Sequence, residues 1–148
     1  MQLDTILTKR IDLPKPAYEQ AVLPPDITAL TSDQLAEMFT ILTGWADYMS
    51  SQLAQAQIAE KKATRAVEYA ESMALITKTQ EAPKGVTVTL IKAQIDTDPE
   101  INKLRDEYDE KYAYRKLLEM LLSNQERDIT LVSREITRRT SERMRRDL

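Results

Sequence analysis

The sequence predicts an all-α protein: a long helical hairpin of coiled-coil character, carrying a proline-rich N-terminal arm and assembling into a homo-oligomer. Three observations predict it. Ala, Leu, Glu, Lys and Arg dominate a 148-residue chain with only two glycines, the composition of long helices. Two stretches of nearly fifty residues contain no strong helix breaker. Their apolar positions recur at close to heptad spacing.

The chain begins with the arm, residues 1–30. Its stretch IDLPKPAYEQAVLPPD, residues 11–26, holds four prolines, each of which also biases its predecessor toward extended backbone. Ile11, Leu13, Tyr18, Val22 and Leu23 make it too apolar for a solvated linker. It is expected to lie along a helix of its own chain or of a neighbour.

A hairpin is read over residues 31–148. Its first helix, over about 31–80, opens at TSDQ, where Thr31 and Gln34 match a capping box. Gly44 is the one weak point before Pro83, costing about 1 kcal/mol relative to alanine. Such a helix would be about 70 Å long, too long to bury in a compact globule of 17.0 kDa. Heptads from Leu35 place Met38, Leu42, Trp45 and Met49 on the seam, then Gln52, then Ala56, Ala59, Ala63, Ala66 and Ala70, with Met73 and Thr77 last. The seam thus changes from bulky residues to alanine. Alanine buries so little area that it gains contact only where another helix comes close.

Pro83 and Gly85 mark a reversal within a loop over about 81–97, in which LIKAQI can form a helical turn or two. The second helix, about 98–146, starts at DTDPE with Asp98 as cap and Pro99 in the first turn. Its apolar register runs through Ile101, Leu104, Tyr108, Leu118, Leu122, Ile129, Val132 and Ile136, interrupted by Lys111, Arg115 and Gln125. A second row, Tyr114, Leu117 and Leu121, needs cover from more than one partner and so points to subunit contacts. The residues expected to build the oligomer are Ala56, Ala59, Ala63, Ala66, Ala70, Leu118, Leu122, Ile129, Val132 and Ile136.

The residue inventory removes whole classes of function. With no cysteine and no histidine, thiol nucleophiles, disulfides, imidazole acid-base chemistry and the usual zinc sets are excluded. No glycine-rich phosphate loop or nucleophile elbow occurs. The run Asp106–Glu110 points its carboxylates to different sides of a helix and reads as a solvated face. An enzyme is not expected, nor is a cofactor or a metal. No stretch is apolar enough for a membrane span, and MQLDTILTKRIDLP lacks the features of a signal peptide, so a soluble cytoplasmic protein is expected.

Net charge is −3, unevenly distributed. Residues 1–60 hold three bases and eight acids, whereas the last seventeen residues hold six arginines and three acids. Between them lies AEKKATRAVEYAES. Lys61, Arg65 and Tyr69 are spaced by four and share a helix face, with Lys62 beside them. Cations followed by an aromatic on one stripe suit single-stranded nucleic acid, phosphates meeting the charges and a base stacking on the ring. The competing reading is an ordinary surface stripe paired with Glu60, Glu68 and Glu71. Arg134, Arg138 and Arg139 near the C-terminus leave the same choice open, between phosphate binding and pairing with acids or the helix dipole.

The order of these parts resembles the phage recombination mediators of the UvsY type over roughly residues 50–140. The parts are the basic-aromatic segment AEKKATRAVEYAES, the stretch LIKAQIDTDPEI, the Tyr- and Leu-rich YAYRKLLEMLL and the basic VSREITRR. Family members carry a Lys-x-Arg with paired aromatics, where this chain has Ala63 and Thr64 before Arg65 and Tyr69 standing alone. The resemblance implies that Lys61, Lys62, Arg65 and Tyr69 bind single-stranded DNA. It also implies that the last helix, through Leu117, Leu118, Leu121, Leu122, Ile129 and Val132, supports a ring. The implied partners are single-stranded DNA, a RecA-like recombinase, single-strand-binding protein and further copies of the chain, in the host bacterial cytoplasm. The alternative is a coiled-coil scaffold or virion component that contacts only protein.

Overall fold

The computed structural model describes residues 12–148; Ile11 and the earlier part of the arm lie outside the described residues. A 3-10 turn, Ile27–Ala29, is followed by three α-helices: α1 (Ser32–Glu81), α2 (Val88–Asp96) and α3 (Pro99–Arg146). No strand occurs among the described residues, so the chain is all-α. No helix among them is long and apolar enough to cross a membrane.

The capping chemistry is where the sequence locates it. Gln34 N–H donates to Thr31 Oγ1 at 3.1 Å and Thr31 N–H to Gln34 Oε1 at 2.9 Å, a reciprocal capping box. Asp98 accepts from Glu100 N–H at 2.9 Å, with Pro99 in the first turn of α3. Gly85 takes the reversal with φ +94°, a conformation that side-chain-bearing residues avoid. The predicted loop over 81–97 differs from the structure. A nine-residue helix, α2, stands there, with Thr87 as cap accepting from Leu90 N–H at 3.3 Å.

The contacts divide the chain into two compact units. Among the described residues the first comprises 12–54 and Leu117–Leu148. Its core is Leu35, Leu42 and Val132, all fully buried, with Leu23, Leu30, Met38, Ile129 and Ile136 packed around them. On α3 the heptad continues through Leu118, Gln125 and Val132, all buried. Gln125, read from sequence as an interruption, sits inside because its Nε2 donates to the Leu42 carbonyl at 3.1 Å. Residues 12–30 lie on this unit: the Trp45 indole N–H donates to the Tyr18 carbonyl at 3.1 Å and Leu13 N–H to Ser51 Oγ at 3.3 Å. Gly44 is explained here. A Cβ at that position would stand 1.8 Å from the Tyr18 hydroxyl, so the glycine admits the tyrosine ring.

The second unit is Gln55–Lys116. Ile91, Ile95 and Ile101 form its core, with Ala70, Ala74, Leu75, Ala82 and Val86 against them. Ala70 and Ala74 of α1 therefore pack against the bulky isoleucines of α2 and α3. The heptad does not persist through this unit. Met73 is exposed while Ala74 and Leu75 pack inward, because a straight helix drifts away from a strict seven-residue repeat.

Candidate nucleic-acid interface

Within the second unit α1 has two faces of opposite character. Ala63, Ala70 and Ala74 are half-buried, while Lys61, Lys62, Arg65 and Tyr69 are all exposed, Tyr69 by 70%. None of the three cations forms an ion pair with a described residue.

The acids that a neutralised surface stripe would use are drawn elsewhere. Glu60 is held by Arg115 of α3, whose Nε and Nη2 both donate to it. Glu71 accepts from Arg105 Nε at 2.9 Å and Nη2 at 2.7 Å, and the same Nη2 donates to Asp96 at 2.9 Å. These bonds raise the Arg105 pKa, Glu71 contributing most and Asp96 next. Glu68 alone stays exposed on the stripe. Three cations against one acid leave the stripe positive on a chain whose net charge is −3.

Sequence reasoning missed the apolar ends of this face. Ile58, Met73 and Ile76 are about half exposed. Ile58, Lys62, Arg65, Tyr69 and Ile76 recur at steps of four, three, four and seven, one side of a helix. The signal was present as a second heptad row, hidden because the first row was followed without its drift.

The C-terminal arginines are arranged differently. Glu135 is 7% exposed and accepts from Arg138 Nε and Nη2 at 2.9 and 2.7 Å and from Arg139 Nε at 2.9 Å. Those bonds, Arg138 first, hold its pKa down at about 2. The Arg138 pKa is raised by the same pair and by Glu142, which accepts from Nη1 at 2.5 Å. Arg139 also reaches the Thr28 carbonyl at 3.1 Å and Ser32 Oγ at 3.4 Å, fastening α3 to the start of α1. Arg139 is thus a structural clasp, and Arg138 is shared between two glutamates. Arg134 is exposed, with no ion pair to a described residue.

The oligomer candidates are mostly occupied within the chain. Ile129, Val132 and Ile136 pack on Leu35 and Leu42, and Ala70 on the isoleucines of the second unit. Leu118 and Ala56 are buried, Leu122, Ala59 and Ala63 are half-buried, and only Ala66 is exposed. The large apolar side chains that α3 leaves in solvent are others: Leu117, Met120, Leu121, Leu131 and Met144 in the first unit and Tyr112 and Tyr114 in the second. Asp106, Glu107, Asp109 and Glu110 are exposed, and no metal-binding group of acids occurs among the described residues.

A scan of the chain against family models, curated proteins and solved structures finds no match.

Proposed function

We propose that the chain is a homo-oligomeric, non-enzymatic recombination mediator. It binds single-stranded DNA without sequence specificity and helps load a RecA-like recombinase onto strands covered by single-strand-binding protein. One observation carries the DNA-binding part: Lys61, Lys62, Arg65 and Tyr69 are exposed together while Glu60 and Glu71, their natural neutralisers, are held by Arg115 and Arg105. The resemblance to the UvsY-type mediators supports the recombination part. In this reading Arg134 is an auxiliary phosphate contact, and Arg139 is not a DNA contact.

Each subunit then offers few charges, and an assembly multiplies them along one strand. The exposed row Leu117, Met120 and Leu121, each close to half exposed or more, is the surface that a neighbouring copy would cover. Aromatic stacking by Tyr69 is tolerant of sequence because every base has a π face.

The second reading is a coiled-coil adaptor or scaffold that contacts only protein, favoured by that same apolar row and by the net charge. Fluorescence anisotropy with a labelled oligothymidine separates the two. The mediator reading expects binding at about 50 mM salt that weakens roughly tenfold at about 200 mM, as two or three phosphate contacts per engaged subunit imply. No binding at low salt and micromolar protein leaves the scaffold reading.

A further inference from the structure

The basic stripe leads to a cavity. Ser72 lies three residues beyond Tyr69 and seven beyond Arg65, so it shares their side of α1 at about 10 Å from Arg65 along the axis. It borders a cavity of about 320 Å³ in the second unit, walled on its apolar sides by Leu75 and Ile95. Its polar lining is Glu71, Ser72, Asp96, Arg105 and Lys92, and the volume suffices for a small planar ligand.

Two of these groups, the carboxylates of Glu71 and Asp96, are acceptors. Arg105 binds one oxygen of each carboxylate, Glu71 Oε1 and Asp96 Oδ1. The second oxygen of each accepts no hydrogen bond from a described residue. A carboxylate oxygen pair favours a base edge that donates. Guanine presents N1–H and the N2 amino group side by side, matching a carboxylate with two parallel bonds. Cytosine and adenine present one amino group each. Thymine presents a single N3–H between two carbonyl oxygens that the carboxylates repel.

We propose that this cavity receives a guanine base of the bound single strand, with Glu71 or Asp96 accepting from its N1–H and N2 amino group. The proposal rests on the single-strand reading above and adds to it a base preference at one position per subunit. Backbone contacts along the stripe hold any strand, and the cavity rewards guanine where it falls in register.

The test uses the full chain and three labelled oligonucleotides in low salt: oligothymidine, the same strand with one central guanine, and the same strand with inosine there, which lacks the N2 amino group. Guanine is expected to tighten binding about fivefold to tenfold, the low end for a bidentate base contact, and inosine to lose most of that gain. In Glu71→Gln/Asp96→Asn the guanine gain should vanish while oligothymidine, which the cavity does not favour, still binds through the stripe. Equal binding of all three strands by the unaltered chain overturns this proposal alone. A guanine gain that persists in the double variant overturns the assignment to this cavity. Failure of every strand to bind removes the single-strand reading and this proposal with it. Should the double variant lose its helical signal, the inosine comparison on the unaltered chain still decides.

Discussion

The two units meet the same problem, covering the inner faces of long helices, with opposite means. In the first, the bulky seam residues Leu35 and Leu42 interlock with Val132 and its neighbours on α3, and residues 12–30 add cover, Tyr18 bonding to Trp45. In the second, α1 offers alanines, and the volume comes from isoleucines of α2 and α3. Side-chain size on one helix decides how much its partners must supply. The charges differ in parallel. Glu135 gathers Arg138 and Arg139 into the first unit, whereas in the second Arg105 and Arg115 remove Glu71 and Glu60 from the neighbourhood of Lys61, Lys62 and Arg65. Two basic clusters that look alike in sequence therefore end in different states, one mostly committed to the fold and one open to solvent.

The comparison can be broken most forcefully at its bulky end. Leu42→Ala leaves a cavity where relaxation is limited by Leu35 and Val132, and should cost about 2–5 kcal/mol, read from urea unfolding. At the small end the damaging change is the reverse one. Ala70→Leu overfills the space beside Ile91, Ile95 and Ile101 and should cost about 1–3 kcal/mol by the same measurement, whereas Ala66→Leu, on an exposed position, should cost much less. A leucine tolerated equally at both positions would contradict the alanine face as a packing surface.

A smaller effect sharpens the account of the first unit. Gly44→Ala gains about 1 kcal/mol of helix propensity but displaces the Tyr18 ring. The gain should therefore appear in a Tyr18→Ala background and be absent in the unaltered one, a coupling read from a double-mutant cycle. The acid limb of stability sharpens it further. Because the folded-state pKa of Glu135 is lowered to about 2 from about 4.3 in an unfolded chain, its contribution is full above that unfolded value. It is lost as pH falls toward 2. Unfolding midpoints measured from pH 5 to pH 2 should fall less steeply in Glu135→Gln.

Much of this was legible before any coordinates. Thr31, Asp98, Pro99 and Gly85 mark local events, and local chemistry is what a sequence displays directly. The bulky half of the seam was legible because Leu35, Leu42 and Trp45 are large enough to dominate the periodicity. The alanine half was not, since small residues fit several registers and the drift that turns Met73 out and Ala74 in accumulates along a straight helix. The helix α2 was read as a loop with a turn or two because it is only nine residues long and draws its stability from packing. The fate of each basic cluster was equally hidden. Glu60 and Glu71 could serve neighbours on α1 or arginines on α3, and only the tertiary contact decides between them. Tyr18 over Gly44 is of the same kind, a long-range contact that makes a residue unfavourable in helices the fitting choice.

The central claim is that the open cluster on α1 is the DNA-binding surface, and one substitution series tests it most directly. Lys61→Ala/Lys62→Ala/Arg65→Ala should weaken binding of labelled oligothymidine at low salt by at least about tenfold, with helical content and oligomeric mass unchanged by circular dichroism and light scattering. A triple variant that binds as tightly as the unaltered chain would contradict it.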